Sequence, residues 1–264
     1  MALMSPDRRI VALIPGALVD HESAMSEARW NSGVRQRSRL RAGLTSCHPV
    51  DMERTGSSAS LFDRWSLRYD RRELQLLTYR PVHDAVLRRL KDSDPSVVAD
   101  LGCGTGQLAQ RLVRRFPAAT IVGVDLSEGM LTQAAGRFAA PCTDAARLVR
   151  ADAVKLPFAV SSVDVVACIE SFHWYRDQAR VLGELARVLR PGGRLLIASI
   201  ATMTSVGDRL LTGATGWGQR AVRARPPQDM RRLLAQAGFE VIYQRRVPRL
   251  APIAWPVLTD ARRR

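Results

Sequence analysis

The 264 residues, 46% of them hydrophobic, suffice for one sizeable core or at most two small ones. No apolar run reaches the ~18 residues that a membrane-spanning helix requires, and four cysteines (Cys47, Cys103, Cys142, Cys168) without a CxxC pair or a well-spaced histidine argue against a structural metal. The formal charge of +15 invites a nucleic-acid reading, but Lys91 and Lys155 are the only lysines; an excess carried by arginine beside abundant Ala, Val, Gly and Pro reads as compositional bias.

Residues 1–55 read as an Arg-rich extension, expected to be disordered. Arg29, Arg35, Arg37, Arg39 and Arg41 alternate with small polar residues and show no sustained apolar period, so little surface is available to offset ordering entropy. Arg8-Arg9 before Ile10–Val19 imitates a signal peptide, but Pro15-Gly16 interrupts the run and no small-x-small site follows closely. The chain is therefore expected in the cytoplasm. Met52 opens a more ordinary beginning, which makes the first 51 residues dispensable in this reading.

The domain is expected over 56–264. Leu61, Phe62, Trp65, Leu67 and Tyr69 suggest a short helix; Leu74, Leu77, Val82, Val86, Leu87 and Leu90 suggest a second, ending near Asp94-Pro95. Strand and helix then alternate: strand Val97–Ala99, a helix through Leu108, Leu112 and Phe116 that stops at Pro117, strand Ile121–Val124, a helix over 128–139, and strands at Leu148-Val149 and Val163–Ile169. A helix lined by Leu182, Leu185 and Leu189 is expected to end at Pro191-Gly192-Gly193, before strand Leu195–Ser199. Such alternation predicts a parallel sheet covered on both faces. After the Gly- and Thr-rich stretch 203–225, a helix Met230–Ala237 stops at Gly238 and strand Phe239–Val247 follows; Ile253–Leu258 is expected as an antiparallel edge strand, where Pro256 is tolerated.

The chemistry concentrates where strands end. Val97–Ala99 runs into Asp100-Leu101-Gly102-Cys103-Gly104-Thr105-Gly106, whose glycines permit a tight turn and close backbone approach to a ligand. The spacing is G-x-G-x-G rather than the G-x-G-x-x-G of dinucleotide sites, and Asp100 stands just before the first glycine. An aspartate there repels a pyrophosphate and attracts an ammonium group, which favours S-adenosyl-L-methionine over NAD. Asp125 ends the next strand, where an acid can accept from ribose hydroxyls. Leu126 and Met130 are candidates to cover the adenine, and Asp152-Ala153, ending the third strand, to receive its amino group. The fourth strand ends at Glu170-Ser171-Phe172-His173-Trp174, in the crevice where open α/β sheets bind ligands. Glu170 joins the cofactor group in this reading, and His173 is the candidate base.

The segments DLGCGTG, VGVDLSEGML, RADAVKLPF, VDVVACIESFHW and RVLRPGGRLLIAS, in that order and spacing, resemble the class I (Rossmann-like) methyltransferase superfamily. The likeness is to the group of ubiquinone/menaquinone-biosynthesis and other small-molecule enzymes. It implies an α/β three-layer sandwich with a seven-stranded, mostly parallel sheet whose last strand is antiparallel. It also implies an S-adenosyl-L-methionine-dependent enzyme, with Asp100, Gly102, Gly104, Gly106, Asp125, Asp152 and Ala153 at the family's cofactor positions. A mouth of Phe172, Trp174 and Tyr175, with Trp65 and Tyr69, suggests a small lipophilic or aromatic acceptor. The rivals are an RNA or DNA methyltransferase, a cofactor-binding regulator without catalysis, and an NAD(P) dehydrogenase. Glu170-Ser171-Phe172-His173 departs from the Asn/Asp-Pro-Pro-aromatic motif of base-amino methyltransferases, and Pro141-Cys142 lies far from a catalytic position, so a nucleic-acid partner is disfavoured. The oligomeric state is left open.

Overall fold

The computed structural model describes residues 12–14, 17–18, 75–138, 146–201, 223–249 and 255–264. Nine strands occur among them: β1 (Ala12–Ile14), β2 (Ala17–Leu18), β3 (Val97–Leu101), β4 (Thr120–Asp125), β5 (Ala146–Arg150), β6 (Val163–Ile169), β7 (Leu189–Ile200), β8 (Phe239–Arg246) and β9 (Pro256–Arg263). Their order is β2-β1-β5-β4-β3-β6-β7-β9-β8. From β5 to β7 neighbours pair in parallel, while β9 runs antiparallel to both β7 and β8. The seven strands β3 to β9 thus make the mostly parallel sheet with an antiparallel last strand. The hairpin β1–β2 from the N-terminal extension adds to the open edge of β5, Ala12 opposite Val149. An exposed edge offers unpaired N–H and C=O groups, and backbone pairing of this kind needs no apolar period in the added segment.

Among the described residues five α-helices cover the sheet: α1 (Arg80–Arg89, preceded by a π-helical turn Gln75–Tyr79), α2 (Gln107–Arg115), α3 (Glu128–Phe138), α4 (Gln178–Val188) and α5 (Pro227–Gln236). Side chains alternate along the central strands, so each strand supplies both layers. Val98 and Ile121 pack with Val82, Val86, Leu112 and Leu131 of the first three helices. Val97, Ala99, Val122 and Val124 pack with Leu182, Leu185 and Leu234 of α4 and α5. Every residue of β3 is buried, as a strand covered on both faces must be. Among the described residues no helix is long and apolar enough to cross a membrane.

Three expectations need correction. The last strand is not an edge: β9 lies between β7 and β8, with Val257 to Ala261 buried. Pro256 fits because it opens the strand, where its carbonyl accepts from the Val247 N–H at 2.9 Å. Pro191-Gly192-Gly193 does not separate helix from strand. The extended backbone starts at Leu189 opposite Val163, and the register jumps to Arg194 opposite Val165, so Arg190–Gly193 loop out within β7. Gly192, at φ +76°, supplies the left-handed residue this bulge needs. Helix α5 begins at Pro227, three residues before Met230, because proline suits the first helical turn. The helix expected over 61–69, with Trp65 and Tyr69, and Cys47 and Cys142 lie outside the described residues.

Candidate active site

The end of β3 turns into α2 through three glycines with positive φ: Gly102 (+69°), Gly104 (+52°) and Gly106 (+78°). At Gly102 the requirement is steric as well, since a Cβ there would lie 2.4 Å from Ser171 Cβ and 2.7 Å from its Oγ. Ser171 follows β6 and donates to the Leu101 carbonyl at 2.9 Å, stitching two strand ends together. Gly102 and Cys103 N–H both donate to the Val124 carbonyl at the end of β4. Asp125 next to it fixes the loop from the same side: its Oδ2 accepts from Gly104 N–H (2.8 Å) and its Oδ1 from Ser127 N–H (2.9 Å).

These strand ends surround an open cleft, whose roughly 830 Å³ of unfilled space includes solvent at its mouth. Gly102, Gly104, Asp125, Leu126, Met130, Asp152, Ala153 and Glu170 line it, together with Ser171, Trp174 and Tyr175. Asp152 also holds its own turn, accepting from Val154 N–H at 3.1 Å. Asp100 and Cys103 instead line a smaller cavity, with Tyr79 and His83; it shares Gly102 and Gly104 with the cleft. Burial pushes the Asp100 carboxyl up to about 7, a backbone hydrogen bond from Ala109 opposing it and the Asp125 charge adding to it. The buried Cys103 thiol is raised well above its ordinary value, chiefly by desolvation, and so is no nucleophile. Gly106 lines neither space; it lets α3 approach, since a Cβ there would meet Phe138 at 3.0 Å and Ala134 at 3.1 Å.

Glu170 adopts a left-handed φ of +56° just past β6. Its Oε1 accepts from Arg249 Nη1 at 3.1 Å, yet burial outweighs that cation and carries the carboxyl to about 7. His173 is not brought to the cleft. The 3₁₀ turn Phe172–Trp174 advances about 120° per residue, so Ser171 and Trp174 share the cleft face while Phe172 and His173 turn inward, 0% and 2% exposed. Burial first, then the Arg249 charge, lower the imidazole to about 3, and its Nδ1 lies 3.4 Å from Ser199 Oγ. A ring so placed packs rather than titrates. The sequence reading missed Ser171 as a brace and His83 as a cavity residue; the one available signal for His83 was a histidine on the apolar face of Val82 and Val86.

Four buried groups set an acid response for the free protein. His83 (about 4) and His173 (about 3) stay neutral where unfolded histidines take up protons, so their contribution is present above about 6.5 and lost as pH falls. Asp100 and Glu170 hold protons up to about 7 that unfolded carboxyls release, so their contribution is present at low pH and lost as pH rises through 7. Between about 4.5 and 6.5 the two pairs oppose. His173→Gln removes one of the two histidines, so the variant should gain on the wild type by up to about 1.4 kcal/mol per pH unit of acidification. Denaturant midpoints at pH 7 and 5 check this; an unchanged difference would mean the ring is hydrated in the fold.

A family profile described as a methyltransferase domain matches residues 99–197, the stretch from β3 to β7. The chain is 36% identical over 141 residues to a malonyl-[acyl-carrier protein] O-methyltransferase of Methylococcus capsulatus, covering 52% of this chain and 50% of that protein. It is 33% identical over 170 residues to a demethylmenaquinone methyltransferase of Thermus thermophilus, covering 57% of this chain and 77% of that one. The chain thus spans half the length of the first and most of the second. Among solved structures, a 1,6-didemethyltoxoflavin-N1-methyltransferase of Burkholderia thailandensis with bound S-adenosylhomocysteine superposes with a TM-score of 0.64 at 19% identity, over 84% of this chain and 93% of that one.

Proposed function

Because this chain belongs to the class I S-adenosylmethionine-dependent methyltransferases, we propose that it moves a methyl group from that cofactor to a small lipophilic or aromatic acceptor. The observation that carries this reading is the convergence of a glycine cradle, a strand-end acid and an apolar floor on one cleft. The cradle fits a ligand that must approach the backbone at Gly102, where a Cβ has no room. The side chains present fit a nucleoside: Asp125 brings a carboxylate to the cleft that suits ribose hydroxyls, Leu126 and Met130 offer apolar contact to a base, and Asp152 an acceptor for its amino group.

S-adenosylmethionine supplies a methyl carbon made electrophilic by the adjacent sulfonium. The protein's own task is alignment and exclusion of water, and alignment alone lowers a barrier by up to about 7–11 kcal/mol. Trp174 and Tyr175 present aromatic surface at the cleft, and Ser171 keeps the two loops in register. The names of the relatives span a carrier-bound malonyl group, demethylmenaquinone and trans-aconitate, so the acceptor must be found on this chain's own cleft. Released S-adenosylhomocysteine, measured across quinone, phenol and lipid extracts, reads it out; turnover confined to nucleic acid would overturn the small-molecule reading.

Titration calorimetry with S-adenosylhomocysteine tests the cofactor assignment directly. Asp125→Ala should weaken binding by about 1.5–3 kcal/mol through the lost charge-assisted bonds. Undiminished affinity in a folded variant removes Asp125 from the ribose site, and binding of NAD in place of the nucleoside thioether removes the reading altogether.

A further inference from the structure

Asp125, Asp152 and Glu170 bring carboxyl groups to the cleft, and the third is held differently from the other two. Asp125 gives an oxygen to each of two backbone N–H groups and Asp152 braces its own turn, so both are tied to the loops that carry them. Glu170 is instead held by a side chain from a distant part of the chain. Arg249 Nη1 donates to its Oε1 at 3.1 Å, and among the described residues no donor meets Oε2. Arg249 is itself buried, and its carbonyl accepts from Trp255 Nε1 at 3.1 Å, which fixes the backbone behind the guanidinium. The left-handed backbone at Glu170 breaks the alternation of β6, so Ile169, Glu170 and Ser171 border the cleft in succession. Strain of this kind at a non-glycine residue persists only where its surroundings enforce it, and it gathers at functional sites.

We propose that Glu170 is the general base for a hydroxyl acceptor seated against Trp174 and Tyr175, its Oε2 taking the acceptor's proton while Arg249 holds Oε1 in place. This role rests on the small-acceptor reading above. The acceptor oxygen bonds to the methyl carbon, the broken C–S bond leaves its electron pair on sulfur, and the O–H proton passes to Oε2 and on to solvent at the cleft mouth. Glu170 starts the turn that brings Trp174 and Tyr175 to the cleft, whereas His173 faces the core. Burial raises the Glu170 carboxyl and the Arg249 charge opposes it, leaving the group at about 7, where a base is both ionised and able to keep a proton. Arg249 is the charge that acts on it from the described elements. Asp125 and Asp152 are the other acids of the cleft, and His173, under the same arginine's charge, stays neutral. A carboxylate acceptor has no proton to give and meets a like charge here, so the site suits hydroxyl acceptors such as phenols.

Two phenols separate this role from a structural one. Glu170→Gln keeps an oxygen for Arg249 and removes the proton acceptor, so melting temperature and affinity for S-adenosylhomocysteine should not fall. With phenol as acceptor, wild-type kcat/KM should rise as pH climbs through about 7; the variant should lose that limb and about 10²-fold in rate. With 4-nitrophenol, which is ionised just above neutrality and needs no base, the loss at about pH 8 should be no more than a few-fold. A second readout requires no turnover. Calorimetry of 4-nitrophenol binding to the S-adenosylhomocysteine complex at about pH 8, in buffers of different ionisation heat, should show proton uptake by the wild type and none by the variant. Equal losses on both phenols, a wild-type profile level through 7, or no proton uptake overturns the base. A wild type that binds S-adenosylhomocysteine yet methylates neither phenol overturns the hydroxyl acceptor, and the base with it. If the variant does not fold, the wild-type profile and its proton uptake decide. A wild type that binds no S-adenosylhomocysteine overturns instead the cofactor assignment on which the small-acceptor reading stands.

Discussion

Asp260→Ala is expected to cost about 3–5 kcal/mol of stability. Asp260 sits in β9 with no exposed surface. Its Oδ2 accepts from Arg89 Nε of α1 at 2.9 Å, and its carboxylate also holds Arg194 of β7 through two hydrogen bonds, one of them 3.2 Å from Oδ1. One anion thus joins the last strand, the central sheet and the first helix. Removal of its charge leaves two guanidinium groups, 34% and 19% exposed, facing a buried gap. Replacing a buried ion set with apolar residues can be neutral, but removing one partner is not. The midpoint of denaturant unfolding reads the loss, and Asp260→Asn should recover part of it through retained hydrogen bonds. A loss under about 1 kcal/mol for the alanine variant would show that water reaches and screens the arginines.

Gly102→Ala is the second large effect, and it strikes stability and binding together. A non-glycine residue at φ +69° costs about 1–2 kcal/mol in backbone energy. The added Cβ also overlaps Ser171 at 2.4 Å, and overpacking of that kind adds about 1–3 kcal/mol. Relief requires either that Ser171 abandon the Leu101 carbonyl or that the loop rise into the cleft. Affinity for S-adenosylhomocysteine should accordingly fall at least about tenfold. Ser171→Gly in the same chain removes the overlap but not the torsional cost, so the pair should be non-additive in both readouts. Wild-type melting and affinity in Gly102→Ala would place the ligand's approach elsewhere along the loop.

The central sheet was legible because its signals are local. Five apolar strands, with amphipathic helices between all but β5 and β6, admit few arrangements, and the motif loops fall at strand ends in the expected order. The C-terminal half of the sheet was harder to read. Whether Pro256–Arg263 lies at an edge or inside depends on what pairs with it on each side, and nothing in its own residues says that. Asp260 would argue for an exposed strand on composition alone; it is buried because Arg89 and Arg194 arrive from distant parts of the chain. The same limit applies at His173. Four residues past β6 a side chain faces the cleft or the core according to the turn that follows, and a 3₁₀ turn selects Trp174 for the cleft. The partition of Asp100 and Asp125 between two cavities likewise follows from the path of the glycine loop in space, which their sequence spacing leaves undetermined.

The interior position of β9 orders events during synthesis. Strand β8 leaves the ribosome before β9 yet pairs, among the described strands, with β9 alone, while β7 has waited for the same partner since residue 200. Until β9 emerges, β7 and β8 each display an open edge, and the pairing nearest to hand is the wrong one, β8 directly against β7. Insertion of β9 closes a separation of roughly 60 residues to β7, the kind of contact whose loop entropy makes it slow and late. The Asp260 bonds to Arg89 and Arg194 belong to that closing step. Contacts made last are the first released, so weakening them hastens unfolding and leaves the rate of folding nearly untouched. The nascent chain therefore carries its nucleotide-type loop well before it holds a closed sheet, and the interval between them is when it is most exposed to misassembly.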